Sequence, residues 1–212
     1  SAYRRMLATT GEKQQQQRRI VVDCAFGIGG KAIREMNNHL SDLIEFSVIN
    51  DSSDDDDNGS QLNRNCGAEY VQKQKRFPVH HDVHSVAATV DGDADRIVYF
   101  YGSTELQLID GDKMATLFAQ FIDEQLSFVG LADELQLGIV QTAYANGSST
   151  KYLKSKVKKP ENISCVATGV KHLHHKAKEY DIAIYFEANG HGTVLFSERA
   201  KSLIQSLPIS SE

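Results

Sequence analysis

Arg19-Ile20-Val21-Val22-Asp23-Cys24, then Gly27-Ile28-Gly29-Gly30, then residues 31–40 with apolar side chains at Ile33, Met36 and Leu40: this run decides the fold class. The first six residues are rich in β-branched side chains, as buried strands are. The glycines permit a tight turn lying close to other backbone. The apolar spacing after them is helical, and residues 44–50 return to a strand pattern. Strand, glycine turn, helix and strand make the opening of a βαβ unit.

The alternation continues outward. Strands are expected at 85–90, 97–101, 106–109, 137–141, 163–167, 182–186 and 193–196. Helices are expected at 66–74, 151–157 and 170–180, and after Asp110-Gly111-Asp112, where Met114, Leu117, Phe118, Phe121 and Ile122 share one periodicity. Such alternation argues for an α/β fold of layered, mixed sheets and helices. Residues 125–134 combine Gly130 with acidic side chains and read as a connection. The expected organisation is therefore a frayed segment at 1–18, one α/β domain at 19–129 and a second at 130–212.

The chain has 212 residues, room for two domains of about 100, and 41% of it is apolar, enough for a core. A net charge of −5 without a basic patch argues against a nucleic-acid surface. Cys24, Cys66 and Cys165 are odd in number and form no C-x-x-C pair, which suits a reduced, cytoplasmic protein. No apolar run approaches the roughly 20 residues of a membrane span. Arg4, Arg5 and the run Gln14-Gln15-Gln16-Gln17 take the place of a signal peptide's apolar centre.

Chemistry concentrates in three places. Val90-Asp91-Gly92-Asp93-Ala94-Asp95-Arg96 sets three carboxylates at alternate positions between two strand patterns. Carboxylates so close repel unless a cation lies among them. Oxygen-only donors suit a hard divalent ion, with Mg²⁺ first; a solvated acidic turn reads equally well from the pattern alone. Arg96 adds a donor suited to phosphate. An EF-hand is a poor fit, because its sixth and twelfth positions would be Arg96 and Gly102 instead of Gly and Glu. Thr168-Gly169-Val170-Lys171-His172 stands at a strand–helix junction, where backbone N–H groups favour anions; a helix with Lys171 and His172 facing water reads equally well from the pattern. Glu187-Ala188-Asn189-Gly190-His191-Gly192 places an acid, an amide and an imidazole on one turn. It suits either vicinal hydroxyls or a plain Asn-Gly hairpin.

Other features have simpler readings. Gly27-x-Gly29-x-x-Ala32 with Asp51 beyond the next strand is similar to a dinucleotide fingerprint, which keeps a dinucleotide-binding oxidoreductase open. The acidic run 51–57 reads as a solvated loop. His80, His81 and His84 lack zinc-ligand spacing and read as exposed loop histidines.

Together the carboxylate loop, Thr142-Ala143-Tyr144-Ala145-Asn146-Gly147-Ser148-Ser149-Thr150, Gly169-Val170-Lys171-His172-Leu173-His174-His175 and Phe186-Glu187-Ala188-Asn189-Gly190-His191-Gly192-Thr193 resemble the α-D-phosphohexomutase superfamily, and within it the phosphoacetylglucosamine mutase family. The resemblance covers about residues 19–200. It implies two successive domains of the phosphohexomutase type, the second and third of four. It implies Mg²⁺ held by Asp91, Asp93, Asp95 and a phosphoserine, with Arg96 near the phosphoryl group and Lys171 and His172, the other catalytic candidates, lining the same cleft. Glu187, Asn189 and His191 would then bind a phosphorylated N-acetylhexosamine. The implied reaction exchanges N-acetylglucosamine 6-phosphate and 1-phosphate for UDP-N-acetylglucosamine synthesis. No segment here matches the family's T-A-S-H-N-P-type serine, and its C-terminal phosphate-binding loop has no counterpart either. The chain alone is therefore expected to be nearly inactive, and a catalytically dead sugar-phosphate-binding module is the other expectation. Phe26 stands where the family's D-x-x-N-G-I-G turn has Asn.

Overall fold

The computed structural model describes residues 18–54, 59–82 and 86–207. The frayed segment expected at 1–18 lies outside them, save the backbone of Arg18. So do Asp55, Asp56 and Asp57 of the acidic run, and His84.

The first compact unit runs to Gly111 and adds Ala188–His191. Its elements are β1 (Arg18–Asp23), α1 (Gly29–Leu40), β2 (Ile44–Ile49), α2 (Ala68–Gln74), β3 (Ala87–Val90), β4 (Ile97–Tyr101) and β5 (Gln107–Ile109). They build one sheet in the order β2-β1-β3-β4-β5. The pairs β1–β2 and β1–β3 are parallel, whereas β3–β4 and β4–β5 are antiparallel. Alternation along β1 feeds two cores. Val21 packs with Val71, Ala87, Val98 and Phe100 under α2. Val22 and Cys24 pack with Val90, Ile33 and Phe46 under α1. A strand whose successive side chains point to opposite faces must be apolar on both when both faces are covered.

The second unit comprises Asp112–Glu187 and continues from Gly192. It holds most of α3 (Gly111–Phe128), then β6 (Leu137–Thr142), α4 (Gly147–Lys156), β7 (Ile163–Val166), α5 (Val170–Ala177), β8 (Ile182–Phe186), β9 (Gly192–Phe196) and α6 (Glu198–Ser206). Its sheet runs β7-β6-β8-β9, with β9 alone antiparallel. Leu173 and Ala177 of α5 pack on Val140, Ala183 and Tyr185. The units divide between Gly111 and Asp112, earlier than the composition near Gly130 suggests. Met114, Ala115, Ala119, Ile122 and Leu126 on α3 are buried, and Phe118 meets Phe186 with ring centres 5.8 Å apart. The helix therefore belongs to the second core. No helix among the described residues is long and apolar enough to cross a membrane.

Other local expectations shift for physical reasons. α4 starts at Gly147, before the expected 151, because the Asn146 side chain accepts from the Ser148 N–H at 2.9 Å and caps it. α5 stops at Ala177 instead of 180. His81 is half-buried. Its ring stacks on Phe77 and meets Phe100 edge-on, and neither ring nitrogen has a hydrogen-bond partner among the described residues. It is a core ring, as an aromatic shelf made by Phe77 and Phe100 dictates. His80 is exposed, and its Nδ1 lies 2.8 Å from Asn50 Oδ1.

Candidate functional site

Parallel strands end together, so the loops that follow them collect at one sheet edge. Asp23 ends β1 and is fully buried. Its Oδ1 accepts from Ala25 N–H (3.1 Å) and Asn50 Nδ2 (2.8 Å), and its Oδ2 from Gly67 N–H (2.8 Å) and Thr89 Oγ1 (2.6 Å). One carboxylate thus ties the turn after β1, the end of β2, the start of α2 and β3. A buried charge is tolerable only when its lone pairs are so filled. Nothing in the sequence singles out Asp23, since its four donors come together only in the fold.

The carboxylate loop joins β3 to β4 in this frame. One oxygen each from Asp91, Asp93 and Asp95 gather within 4.8 Å of one another. Asp91 is half-buried, while Asp93 and Asp95 are exposed. Burial raises the Asp91 carboxyl above its ordinary range. The Asp95 and Asp93 charges push the same way, while the Arg96 N–H bond and guanidinium oppose. The loop therefore carries negative charge its own cation does not cancel. Three converging oxygens suit a divalent, oxygen-seeking cation.

Arg96 opens β4. Its N–H donates to Asp91 Oδ1 at 3.1 Å. Its guanidinium lies 3.5 Å from Asp91, 3.8 Å from Asp95 and 3.8 Å from Glu69. The Nε hydrogen is buried yet makes no hydrogen bond among the described residues; at such distances the charges attract without sharing a proton.

Glycines explain why the loop takes this shape. A Cβ on Gly27 would stand 2.1 Å from the Gly92 oxygen, and Ile28 N–H donates to that same oxygen at 3.0 Å. The glycine turn is thus filled by the carboxylate loop, leaving no cradle for a pyrophosphate. Asp51 is likewise engaged, by Arg34, Ser52 and Ser53. Its carboxyl is held below the usual range, chiefly by the Arg34 hydrogen bond. The dinucleotide expectation is corrected by both facts: the turn and the acid serve protein contacts. Phe26, like Ala25, takes a left-handed backbone (φ 54° and 53°), a conformation asparagine adopts more readily.

The turn Glu187–His191 divides its residues between the units. In the first, Gly190 carbonyl accepts from Ile97 N–H at 3.1 Å, and Ala188 carbonyl from Gly111 N–H (3.3 Å) and Gln72 Nε2 (2.9 Å). His191 bridges Arg96 in antiparallel fashion, its Nε2 3.8 Å from Asp95 Oδ2. Asn189 Oδ1 accepts from His191 N–H at 3.0 Å, which closes the turn. The Asn-Gly pair thus sits in a turn of Glu187–His191 rather than a two-residue hairpin.

The second unit holds the remaining candidates. Glu187 follows β8, and its Oε1 accepts from Gly169 N–H at 3.3 Å. Gly169 (φ 117°) precedes α5, so the carboxylate sits at the positive start of that helix. Lys171 and His172 are exposed on its first turn. Asp91, Asp93, Asp95, Arg96, Asn189 and His191 therefore form one group, and Glu187 with the start of α5 another, each within its own unit.

Two family models match the chain: phosphoacetylglucosamine mutase AMG1 domain II over residues 1–98, and domain III over residues 110–212. The phosphoacetylglucosamine mutase of Mus musculus is 47% identical over 90% of this chain, and that of Saccharomyces cerevisiae 44% over 92%. The chain spans 34% and 36% of those relatives' lengths. Among solved structures, Aspergillus fumigatus N-acetylphosphoglucosamine mutase in complex with GlcNAc-6P and magnesium superimposes with a TM-score of 0.81 at 40% identity, over 99% of this chain and 42% of that one. A Thermus thermophilus protein shares the fold at 12% identity and TM-score 0.54. With its carboxylate loop, its glycine turn and both matched domains, the chain belongs to the phosphoacetylglucosamine mutase family of the α-D-phosphohexomutases and carries that family's second and third domains.

Proposed function

We propose that this chain is the metal-binding and sugar-binding part of a phosphoacetylglucosamine mutase. The whole enzyme would exchange N-acetylglucosamine 6-phosphate and N-acetylglucosamine 1-phosphate, through a phosphoserine and a bisphosphate, in UDP-N-acetylglucosamine synthesis. The observation that carries this reading is the converging trio Asp91, Asp93 and Asp95 beside Arg96, in a chain 40% identical to a mutase solved with GlcNAc-6P and magnesium. Three free cysteines, two of them buried, support a reducing compartment, which we take to be the cytoplasm.

Asp91, Asp93 and Asp95 would hold Mg²⁺. When bound, the ion neutralises charge on a transferring phosphoryl group. Arg96 supplies an Nε hydrogen that no protein group takes up among the described residues, and a phosphoryl oxygen is its natural acceptor. Its guanidinium is held by Asp91, Asp95 and Glu69, so little rotamer freedom is left to lose on binding. Lys171 and His172, on the first turn of α5, offer positive charge and a proton carrier where helix N–H groups already favour anions. Glu187, Asn189 and His191 would be the residues that read the sugar; the Gly169 bond orients Glu187 within its unit, and the Asx-type bond orients Asn189 within the other. The donor phosphoserine has no counterpart among these 212 residues.

Calorimetric titration of the chain with MgCl₂ tests the metal half. Saturable binding is expected, abolished by Asp93→Asn. Equal binding by the variant would remove the assignment.

A further inference from the structure

We infer that Asn63 is a positioning residue for the carboxylate loop, holding Gly92 and through it the spacing of Asp91 and Asp93. The inference rests on the reading of that loop as a divalent-cation site.

Gly92 lies between two of the three carboxylates, and its peptide groups are pinned from two distant segments. Its N–H donates to Asn63 Oδ1 at 3.1 Å. Its carbonyl accepts from Ile28 N–H at 3.0 Å. A Cβ on Gly92 would stand 2.7 Å from the Leu62 Cδ1 and 2.9 Å from the Asn63 Nδ2. The loop therefore lies flat against the segment that carries Asn63.

Asn63 is itself held. Its backbone is left-handed (φ 57°), a region where asparagine is the favoured residue after glycine. Its N–H donates to Ala25 carbonyl at 2.9 Å. With Asp91, Asp93 and Arg96 it borders a cavity of about 330 Å³.

The carboxylates differ in what holds them. Asp91 Oδ1 accepts from the Arg96 N–H, and Asp95 has Arg96 and His191 beside it. Asp93 makes no hydrogen bond or ion pair among the described residues, so its place follows the backbone at Gly92. Asn63 is neutral, so its effect on a cation site is geometric. Preorganised ligands bind better because less freedom is lost.

Two variants of the 212-residue chain separate this role from general stability. Asn63→Gly removes the acceptor while suiting the positive φ. Asn63→Asp keeps the acceptor. The bond is exposed, and loss of such a hydrogen bond is worth about two- to fivefold in an equilibrium. Asn63→Gly is therefore expected to weaken Mg²⁺ binding about two- to fivefold by calorimetry, and Asn63→Asp to bind no more weakly than the parent chain. In chelator, the Gly92 amide is expected to exchange faster with deuterium in Asn63→Gly, read by NMR, and to stay protected in Asn63→Asp. Unchanged Gly92 exchange in Asn63→Gly overturns the inference, as does parental Mg²⁺ affinity in that variant. If the parent chain binds no Mg²⁺, the cation reading fails, and the exchange arm still decides Asn63.

Discussion

Asp23 is where single-residue energetics bear hardest on the fold. Its four bonds converge from Ala25, Asn50, Gly67 and Thr89. Asp23→Asn turns one accepting oxygen into a donor and strands two buried donors, a loss of about 2–5 kcal/mol; urea unfolding checks it. His81 adds a pH term with the opposite chemistry. Burial lowers its pKa from 6.5, while Asp82 and Asp23 pull it up. A histidine whose folded value is depressed contributes stability fully present above its unfolded pKa, and that stability is lost as pH falls through the folded value. The unfolding midpoint should therefore fall as pH drops below 6.5, and His81→Phe should flatten that slope. Neither residue was legible beforehand. An aspartate at a strand end looks alike whether it meets four donors or water, and His81 resembles its exposed neighbour His80 until Phe77 and Phe100 close on it. The convergence of the three loop aspartates was legible, because alternate carboxylates on one short loop between two strands have little room to part.

Among elements, the glycine turn between β1 and α1 shows what a pattern can and cannot say. Strand, turn and helix were readable from the β-branched run and the helical spacing, and the sheet bears that out in β1, α1 and β2. What occupies the turn was not readable, because Gly92 lies far along the chain and is brought there only by β3 pairing with β1. Gly27→Ala would drive a Cβ into the Gly92 carbonyl, 2.1 Å away, and backbone on both sides resists. We expect a stability loss of about 2–4 kcal/mol and weaker Mg²⁺ binding, measured by thermal melts with and without the metal. The cap of α4 offers a milder test. Asn146→Ala deletes the bond to Ser148 N–H and should cost about 1 kcal/mol in chemical unfolding. The Arg34–Asp51 pair between α1 and the end of β2 adds a second pH dependence. Asp51 is depressed from 3.8 by Arg34, so its contribution is present above that value and vanishes as pH falls through the folded one. The stability gap between the parent and Arg34→Ala should close over the same range.

For the whole chain, the two matched domains and the lengths of the relatives frame what it can do alone. Expressed by itself, it should bind Mg²⁺ and give no measurable mutase turnover, since no serine segment of the family's type lies within it. A coupled assay with N-acetylglucosamine 6-phosphate checks this, and steady turnover would refute it. The α/β architecture was legible because strands and helices alternate with distinct periods, but the division between the units was not. Helix periodicity shows that α3 has an apolar face without showing which core receives it. The turn Glu187–His191 has a further consequence for anyone dividing the protein. The first unit is discontinuous in sequence: it ends at Gly111 and resumes for Ala188–His191. A gene cut after Gly111 would deprive Ile97 N–H of the Gly190 carbonyl, and Gln72 and Gly111 of the Ala188 carbonyl. No single cut yields both units whole, so a fragment meant to keep either one intact has to carry the chain through His191.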